Sequence, residues 1–475
     1  MDPRHADAPL PAVPRRPAGR AWRPWRISHA QWLILSFLVL ILLGAGLLLL
    51  PAAQLRPVSA LDSLFTAVSA ATLTGLATVP TAQSWSPFGQ GVILGLMQLG
   101  GIAAMSFGVL FAMVLGLRVA LREHLNLGTE RKTMRMRDAL GVVPYVALVT
   151  LIIEAVGAAA LAARFMLGHQ FSPGDAAVAG IYSAVSGFCN GGFSLVNLSQ
   201  PAFANDGWLL GILALLIILG GLGFGVLVEL GLTGRIRRLS LRARLVLVTT
   251  IALLLVGFGF FLLFEWHNAA TLGAEHVTPA RKIITAGFLS ATARSAGFST
   301  LELTALAPPT VFMLGLLMLV GASPDSTGGG MKTTTLAVIV LAILALLRRR
   351  ADIEIFGRRI SGDMVRLALS LVCVYLFAVL LAIMAISLTQ ISLQSLPPGP
   401  ETLALYGALM FEVVSAFGLS GLSMGVTPLL SPFSKAVIIA CMVLGRVGPL
   451  LFIYSYAQPR RPRLRRLPAE MVMPG

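Results

Sequence analysis

Ala67-Val-Ser-Ala-Ala-Thr-Leu-Thr-Gly75 has three counterparts further along the chain: Ala184-Val-Ser-Gly-Phe-Cys-Asn-Gly-Gly192, Leu289-Ser-Ala-Thr-Ala-Arg-Ser-Ala-Gly297 and Val413-Val-Ser-Ala-Phe-Gly-Leu-Ser-Gly421. Six residues before each final glycine stand Ser69, Ser186, Ala291 and Ser415, and an apolar residue follows it: Leu76, Phe193, Phe298 or Leu422. The final glycines are 117, 105 and 124 residues apart. Each copy lies between two long apolar segments. Within the second segment of each pair, Gly100-Gly101, Gly220-Gly221, Gly321 and Gly445 recur 25, 28, 24 and 24 residues after the loop glycine. A break in the span is expected at each.

The apolar segments lie near 31–50, 89–117, 141–167, 206–232, 244–265, 308–347 (interrupted), 364–390 and 432–456. With 56% hydrophobic residues, 12% charged residues and a mean hydropathy of +0.85, the 475-residue chain is a polytopic integral membrane protein. A soluble enzyme is excluded. The fold class that follows is all-α: eight transmembrane helices and four re-entrant loops, arranged as four tandem span–pore helix–span repeats around one pseudo-fourfold pore. The repeats are expected at 31–117, 141–232, 244–347 and 364–456. A basic, disordered cytosolic stretch at 1–30 and a cytosolic tail at 457–475 flank them.

Charge placement sets the orientation. Of 36 Lys and Arg, 28 fall in 1–30, 118–137, 235–244, 348–366 and 460–466, against 6 on the opposite side. The positive-inside rule then puts both termini in the cytosol. The formal charge of +16 is thereby explained by topology and a lipid-facing rim, with no nucleic-acid partner. Cys189, Cys373 and Cys441 lie in apolar or Gly-rich stretches and form no disulfide framework, and the six histidines show no metal-ligand spacing. No positioned base, nucleophile or metal set supports an enzyme.

Short helices precede the glycine loops. Ser59-Ala-Leu-Asp62 and Ser172-Pro-Gly-Asp175 read as helix starts with reciprocal caps, and Thr278-Pro-Ala-Arg281 and Pro398-Gly-Pro-Glu401 open the other two. All four begin outside and aim their negative ends at the membrane centre, which lowers the cost of a cation there. Non-helical backbone at that depth must line a path or be buried in protein. Four such loops offer carbonyl rings that replace an ion's hydration shell. Loops without carboxylates, His or Cys clusters suit K+ or Na+ and disfavour Ca2+ and transition metals.

Two cations sit inside apolar segments, where charge is costly. Lys332 closes Gly321-Ala-Ser-Pro-Asp-Ser-Thr-Gly-Gly-Gly-Met-Lys-Thr-Thr-Thr335, a run that Pro324 and three consecutive glycines keep from being a helix. It reads as an intramembrane gate or a static packing irregularity. Arg446 follows Gly445 and reads as a barrier below the loops or as one half of a buried ion pair with Asp325 or Glu412. Glu154 in the third span reads as a paired helix residue or a proton site. Gly220-Gly-Leu-Gly-Phe-Gly225 is helix packing or kinking, since no strand precedes it.

Thr74-Gly-Leu76, Asn190-Gly-Gly-Phe193, Ala293-Arg-Ser-Ala-Gly-Phe-Ser-Thr300, Phe411-Glu-Val-Val-Ser-Ala-Phe-Gly418, Gly321–Thr335 and Gly445-Arg-Val-Gly-Pro-Leu450 together resemble the Trk/Ktr/HKT cation-transporter superfamily over residues 31–456. With eight spans the chain looks closer to the KtrB membrane subunits than to TrkH. The resemblance implies K+ uptake across the cytoplasmic membrane, a homodimer, and gating by a cytosolic KtrA- or TrkA-like nucleotide-binding ring, with Na+ a candidate activator. It implies a K+ filter at Leu73, Thr74, Gly75, Asn190, Gly191, Gly192, Ser295, Ala296, Gly297, Ser420 and Gly421. It implies gating residues Gly321, Asp325, Gly328, Gly329, Gly330, Lys332 and Arg446. A first-loop serine marks the sodium-selective plant members, so Gly75 favours K+. Asp325 stands where the resemblance leads one to expect a small residue, and Cys189-Asn-Gly191 replaces the commoner Asn-Asn-Ala. The alternatives are a Na+-conducting HKT-like transporter and an ion-coupled secondary transporter. The latter usually has inverted repeats, whereas these run in parallel.

Overall fold

A computed structural model describes residues 29–114, 143–233, 239–274, 277–350, 352–389 and 400–448. Residues 1–28 of the basic N-terminal stretch, and the segments 118–137 and 457–475, lie outside them.

Helix starts fall where side-chain caps are available. Ser59 Oγ accepts from the Asp62 N–H at 3.1 Å ahead of α2 (Ala60–Thr72). Ser172 Oγ does the same for Asp175 at 3.2 Å ahead of α5 (Pro173–Phe188). Thr278 Oγ1 caps α9 (Pro279–Thr292) through the Arg281 N–H. Each satisfies a donor that the first helical turn leaves unpaired. The fourth short helix, α13, is Pro400–Gly418.

Apolar helices flank them: α1 (His29–Leu48) and α3 (Pro87–Val114) around α2, and α4 (Val143–His169) and α6 (Gly207–Leu222) around α5. Beyond α6 comes α7 (Phe224–Thr233). Next, α8 (Leu241–Glu265) and α10 (Pro308–Leu319) flank α9, and α11 (Thr333–Leu347) follows. Last, α12 (Gly362–Thr389) and α14 (Pro432–Val447) flank α13. Among the described residues four helices are individually long and apolar enough to cross a membrane: 87–106, 143–169, 241–265 and 362–389. The pair α6–α7, bent by 99°, makes a fifth if it is one span. The sixth apolar segment is two shorter helices, α10 and α11, separated by the Gly-rich run.

Burial follows a single stripe on these helices. On α4 the buried positions are Val146, Thr150, Glu154, Gly157, Leu161 and Phe165, a helical spacing. Leu148, Leu151, Ile152 and Val156 on the same helix are exposed. Apolar side chains on this scale, facing away from the protein, fit lipid and not water.

Each short helix packs against the second long helix of the preceding unit. Thus α5 lies on α3, α9 on α6, α13 on α10, and α2 on α14, which closes the circle. An ion pair marks that last contact: Lys435 Nζ on α14 lies 2.7 Å from Asp62 Oδ1 on α2, with both side chains largely buried. Burial alone would raise the Asp62 carboxyl, but hydrogen bonds from Lys435 and Ser59 outweigh it and hold it below the ordinary carboxylate value. A carboxylate depressed in the folded state stabilises the protein above its unfolded value of about 4 and loses that contribution as the pH falls through the folded value. Lys435→Met is therefore expected to destabilise the protein at pH 7 by about 1–3 kcal/mol. It should also flatten the acid limb of a melting-temperature profile in detergent. Superimposable profiles for variant and wild type from pH 3 to 7 would refute this.

Three expectations need correction. The chain is not purely helical: Ile353–Ile355 (β1) pairs antiparallel with Arg358–Ile360 (β2) in the 348–366 connection. Isoleucines favour a strand there, and Phe356-Gly357, both at positive φ, make the tight turn. Second, Gly100, Gly220 and Gly445 do not break their helices. They let each span close on a short-helix carbonyl four residues before its loop glycine, at Ala71, Phe188 and Phe417, where a Cβ would collide. In the fourth unit α14 runs through Gly445 and ends at Val447, capped by Gly448. Third, the break in the second unit is at Gly223 (φ +90), between α6 and α7. Only Gly321 lies at a true interruption.

Candidate functional site

In three of the units the short helix ends in the same way. Leu73, Asn190 and Leu419 adopt the left-handed conformation two residues before the loop glycine. The next N–H, of Thr74, Gly191 or Ser420, then bonds back to the carbonyl of Ser69, Ser186 or Ser415 at 2.8, 2.7 and 3.0 Å. This is the double-bonded C-cap that satisfies terminal carbonyls. The third unit differs: Ala296 N–H bonds to the Thr292 carbonyl at 3.0 Å and Ser295 stays out of the left-handed region. The hydroxyls of Ser69, Ser186 and Ser415 are buried with no hydrogen-bond partner among the described residues.

The four loops meet. A methyl group on Gly75 would lie 2.7 Å from Gly192 Cα and 2.9 Å from the Gly191 carbonyl oxygen. One on Gly192 would lie 3.1 Å from the Ala296 carbonyl oxygen, and one on Gly297 2.8 Å from that of Ser420. At Gly421 it would strike the Thr74 carbonyl oxygen, which completes the circuit from first loop to fourth and back. The carbonyls of Thr74, Gly191, Ala296 and Ser420, each one residue before its glycine, therefore stand at equivalent places in one ring. Ser420 Oγ donates to the Ala293 carbonyl at 2.9 Å and ties the fourth loop to the third.

The Gly321–Lys332 run lies against these loops. A methyl on Gly328 would fall 2.7 Å from Ser295 Oγ, one on Gly330 3.0 Å from the Gly418 carbonyl oxygen, and Gly329 abuts Leu419. The run is also held to the α6–α7 break: Ser323, Thr327 and Phe224 N–H donate to the carbonyls of Gly221, Gly220 and Asp325 at 3.1, 3.2 and 2.9 Å. The Asp325 carboxylate pairs with Arg242 in the first turn of α8. Lys332 Nζ donates to the Gly328 carbonyl at 2.8 Å.

Arg446 donates to the carbonyls of Thr327 and, at 3.4 Å, Gly100. Neither expected acid pairs with it, since Asp325 takes Arg242 and Glu412 accepts from Ser423, Met424 and Thr427. Glu154 accepts a weak bond from the Cys189 thiol at 3.3 Å, as a paired residue. Among the described residues no group of His, Cys, Asp or Glu could hold a metal ion, and the three cysteines are free.

Of the eighteen site residues expected from the sequence, seventeen thus fall in two adjoining layers, the ring and the Gly321–Lys332 run against it, and Arg446 reaches that run from α14. One residue of that run was not singled out. Thr327 is fully buried, and its hydroxyl accepts from Asn190 Nδ2 at 2.7 Å and donates to the Phe188 carbonyl at 3.0 Å. Its only sequence signal is a hydroxyl flanked by glycine in an apolar region.

The family described as TrkH, cation transport protein, matches residues 24–459. The Ktr system potassium uptake protein B of Bacillus subtilis is 34% identical over 440 residues, covering 93% of this chain and 95% of that protein. The potassium/sodium uptake protein NtpJ of Enterococcus hirae is 34% identical over 438 residues, covering 90% and 93%. Among solved structures, the potassium transporter TrkH from Vibrio parahaemolyticus matches with a TM-score of 0.70 at 19% identity, over 91% of this chain and 86% of that one.

Proposed function

The chain belongs to the TrkH family of cation transport proteins, and on that premise we propose that it carries K+ into the cell through a channel-like pore at the centre of four span–short helix–span units. The observation that carries this reading is the ring of four equivalent carbonyls, at Thr74, Gly191, Ala296 and Ser420, closed from the first loop to the fourth. Oxygen ligands without a carboxylate suit a dehydrated monovalent ion. The negative ends of four short helices add a field that favours a cation at the centre. The eight spans are α1, α3, α4, α6–α7, α8, α10–α11, α12 and α14.

In this reading Leu73–Gly75, Asn190–Gly192, Ser295–Gly297 and Ser420-Gly421 form the filter. The Gly321–Lys332 loop and Arg446 close the path below it. The protein sits in the cytoplasmic membrane with both termini inside, as a homodimer, and a cytosolic nucleotide-binding ring acts on the loop. The name of the Bacillus relative, a component of a potassium uptake system, supports a partner subunit. The Enterococcus relative, described as acting on potassium and sodium, makes Na+ the second ion to test, as cargo or activator.

Uptake of radioactive Rb+ into proteoliposomes, with K+ and Na+ as competitors, tests this reading. Saturable Rb+ uptake that K+ suppresses more strongly than Na+ is expected. No alkali-cation flux, or flux obligatorily coupled to an organic solute, would reject it.

A further inference from the structure

We propose that the Thr327 hydroxyl is a positioning group for the second filter loop, so that cation discrimination depends on where the gating loop sits. This rests on the transport reading above. Asn190, in the left-handed conformation at φ +57 as Leu73 and Leu419 are in their loops, is the one of the three whose side chain is polar, and it immediately precedes the Gly191 carbonyl of the ring. Its carboxamide is fully buried and bridges two neighbours. Nδ2 donates to Thr327 Oγ1 at 2.7 Å, and Oδ1 accepts from Ser295 Oγ of the third loop at 3.4 Å.

Thr327 faces both layers at once. Its hydroxyl holds Asn190 and the Phe188 carbonyl, at the end of α5. Its backbone carbonyl accepts from Arg446, and its N–H donates to the Gly220 carbonyl. A displacement of the gating loop that frees Arg446 therefore strains the bond that orients Asn190. Breaking a buried hydrogen bond while leaving its partners in place exposes them to the full desolvation penalty. The carboxamide nitrogen then keeps only its weaker 3.3 Å bond to the Phe188 carbonyl, and a reorientation of Asn190 towards it shifts the adjoining Gly191 carbonyl of the ring.

The test uses the full-length protein in proteoliposomes and reads the ratio of K+ to Na+ potency in suppressing Rb+ uptake. Thr327→Ser keeps the hydroxyl and is expected to keep the wild-type ratio. Thr327→Val removes it at nearly constant volume, and Thr327→Ala removes it without adding a methyl; both are expected to lower the ratio about five-fold. Neither touches the backbone bonds to Arg446 and Gly220. The Ala variant carries the test if the Val variant does not reach the membrane. A purely structural role would scale all uptake equally and leave the ratio alone. An unchanged ratio in the hydroxyl-free variants at any measurable level of uptake, or a ratio lost in Thr327→Ser, overturns this inference and leaves the transport reading standing. Absence of alkali-cation flux in the wild type overturns the transport reading itself.

Discussion

Gly75→Ser is expected to lower Rb+ uptake at least ten-fold, with the remaining uptake no longer preferring K+ over Na+, while the protein still reaches the membrane. Gly75 has a φ of +88, where an L side chain is disfavoured by about 1–2 kcal/mol. Its added Cβ would also lie 2.7 Å from Gly192 Cα and 2.9 Å from the Gly191 carbonyl oxygen. Both obstacles are backbone, so no rotamer change relieves them, and overpacking of this kind costs about 1–3 kcal/mol. Relief comes only from shifting the first or second loop, and such a shift moves a ring carbonyl. A few kcal/mol at the point where hydration is replaced corresponds to one or two powers of ten. Gly91→Ala is the matched control on α3, because a Cβ there meets nothing within 4 Å. Uptake and ion preference equal to wild type in Gly75→Ser, at equal protein level, would remove the first loop from the filter.

The loops were legible in the sequence because their requirement is local. A left-handed or tightly enclosed backbone selects glycine whatever surrounds it, so Gly75, Gly192, Gly297 and Gly421 recur in register. The caps at Ser59 and Ser172 were legible for the same reason: a cap is settled within four residues. Misreadings began where one residue type serves two purposes. Gly100, Gly220 and Gly445 resembled helix breaks, yet each admits a carbonyl of the short helix beside an intact or later-ending helix. Nothing in the sequence around Gly220 distinguishes it from Gly223, the residue that actually bends its helix.

Pairings across long separations were the least legible. The sequence offers Asp325 or Glu412 as an ion-pair partner for Arg446, but Asp325 pairs with Arg242, 83 residues away in sequence. The fold brings α8 under the α6–α7 break, and only that placement selects the partner. Thr327 illustrates the same limit. Its chemistry is ordinary, and its position between Asn190 and Arg446 is a property of the packed units alone.

Arg446→Ala is expected to raise basal Rb+ uptake about ten-fold or more in the absence of any cytosolic partner. The side chain is partly buried, and its hydrogen bonds run to the carbonyls of Thr327 and Gly100 and not to an acid. Among the described residues no ion pair to a carboxylate neutralises its charge. For an ion passing at about 6 Å with an effective dielectric constant near 20, the repulsion is about 3 kcal/mol, or roughly two powers of ten in rate. A second effect has the same sign. Without Arg446 the Thr327 carbonyl loses that donor, which destabilises the observed position of the Gly321–Lys332 run by about 1–3 kcal/mol. Two further variants separate the contributions. Arg446→Lys keeps the charge and is expected to stay near the wild-type rate, whereas Arg446→Gln keeps a donor without the charge and should approach the alanine variant. If Gln behaved like wild type and Lys like Ala, hydrogen bonding to Thr327 and not charge would be the barrier. If Ala left uptake unchanged or reduced it, Arg446 would not obstruct the path at all.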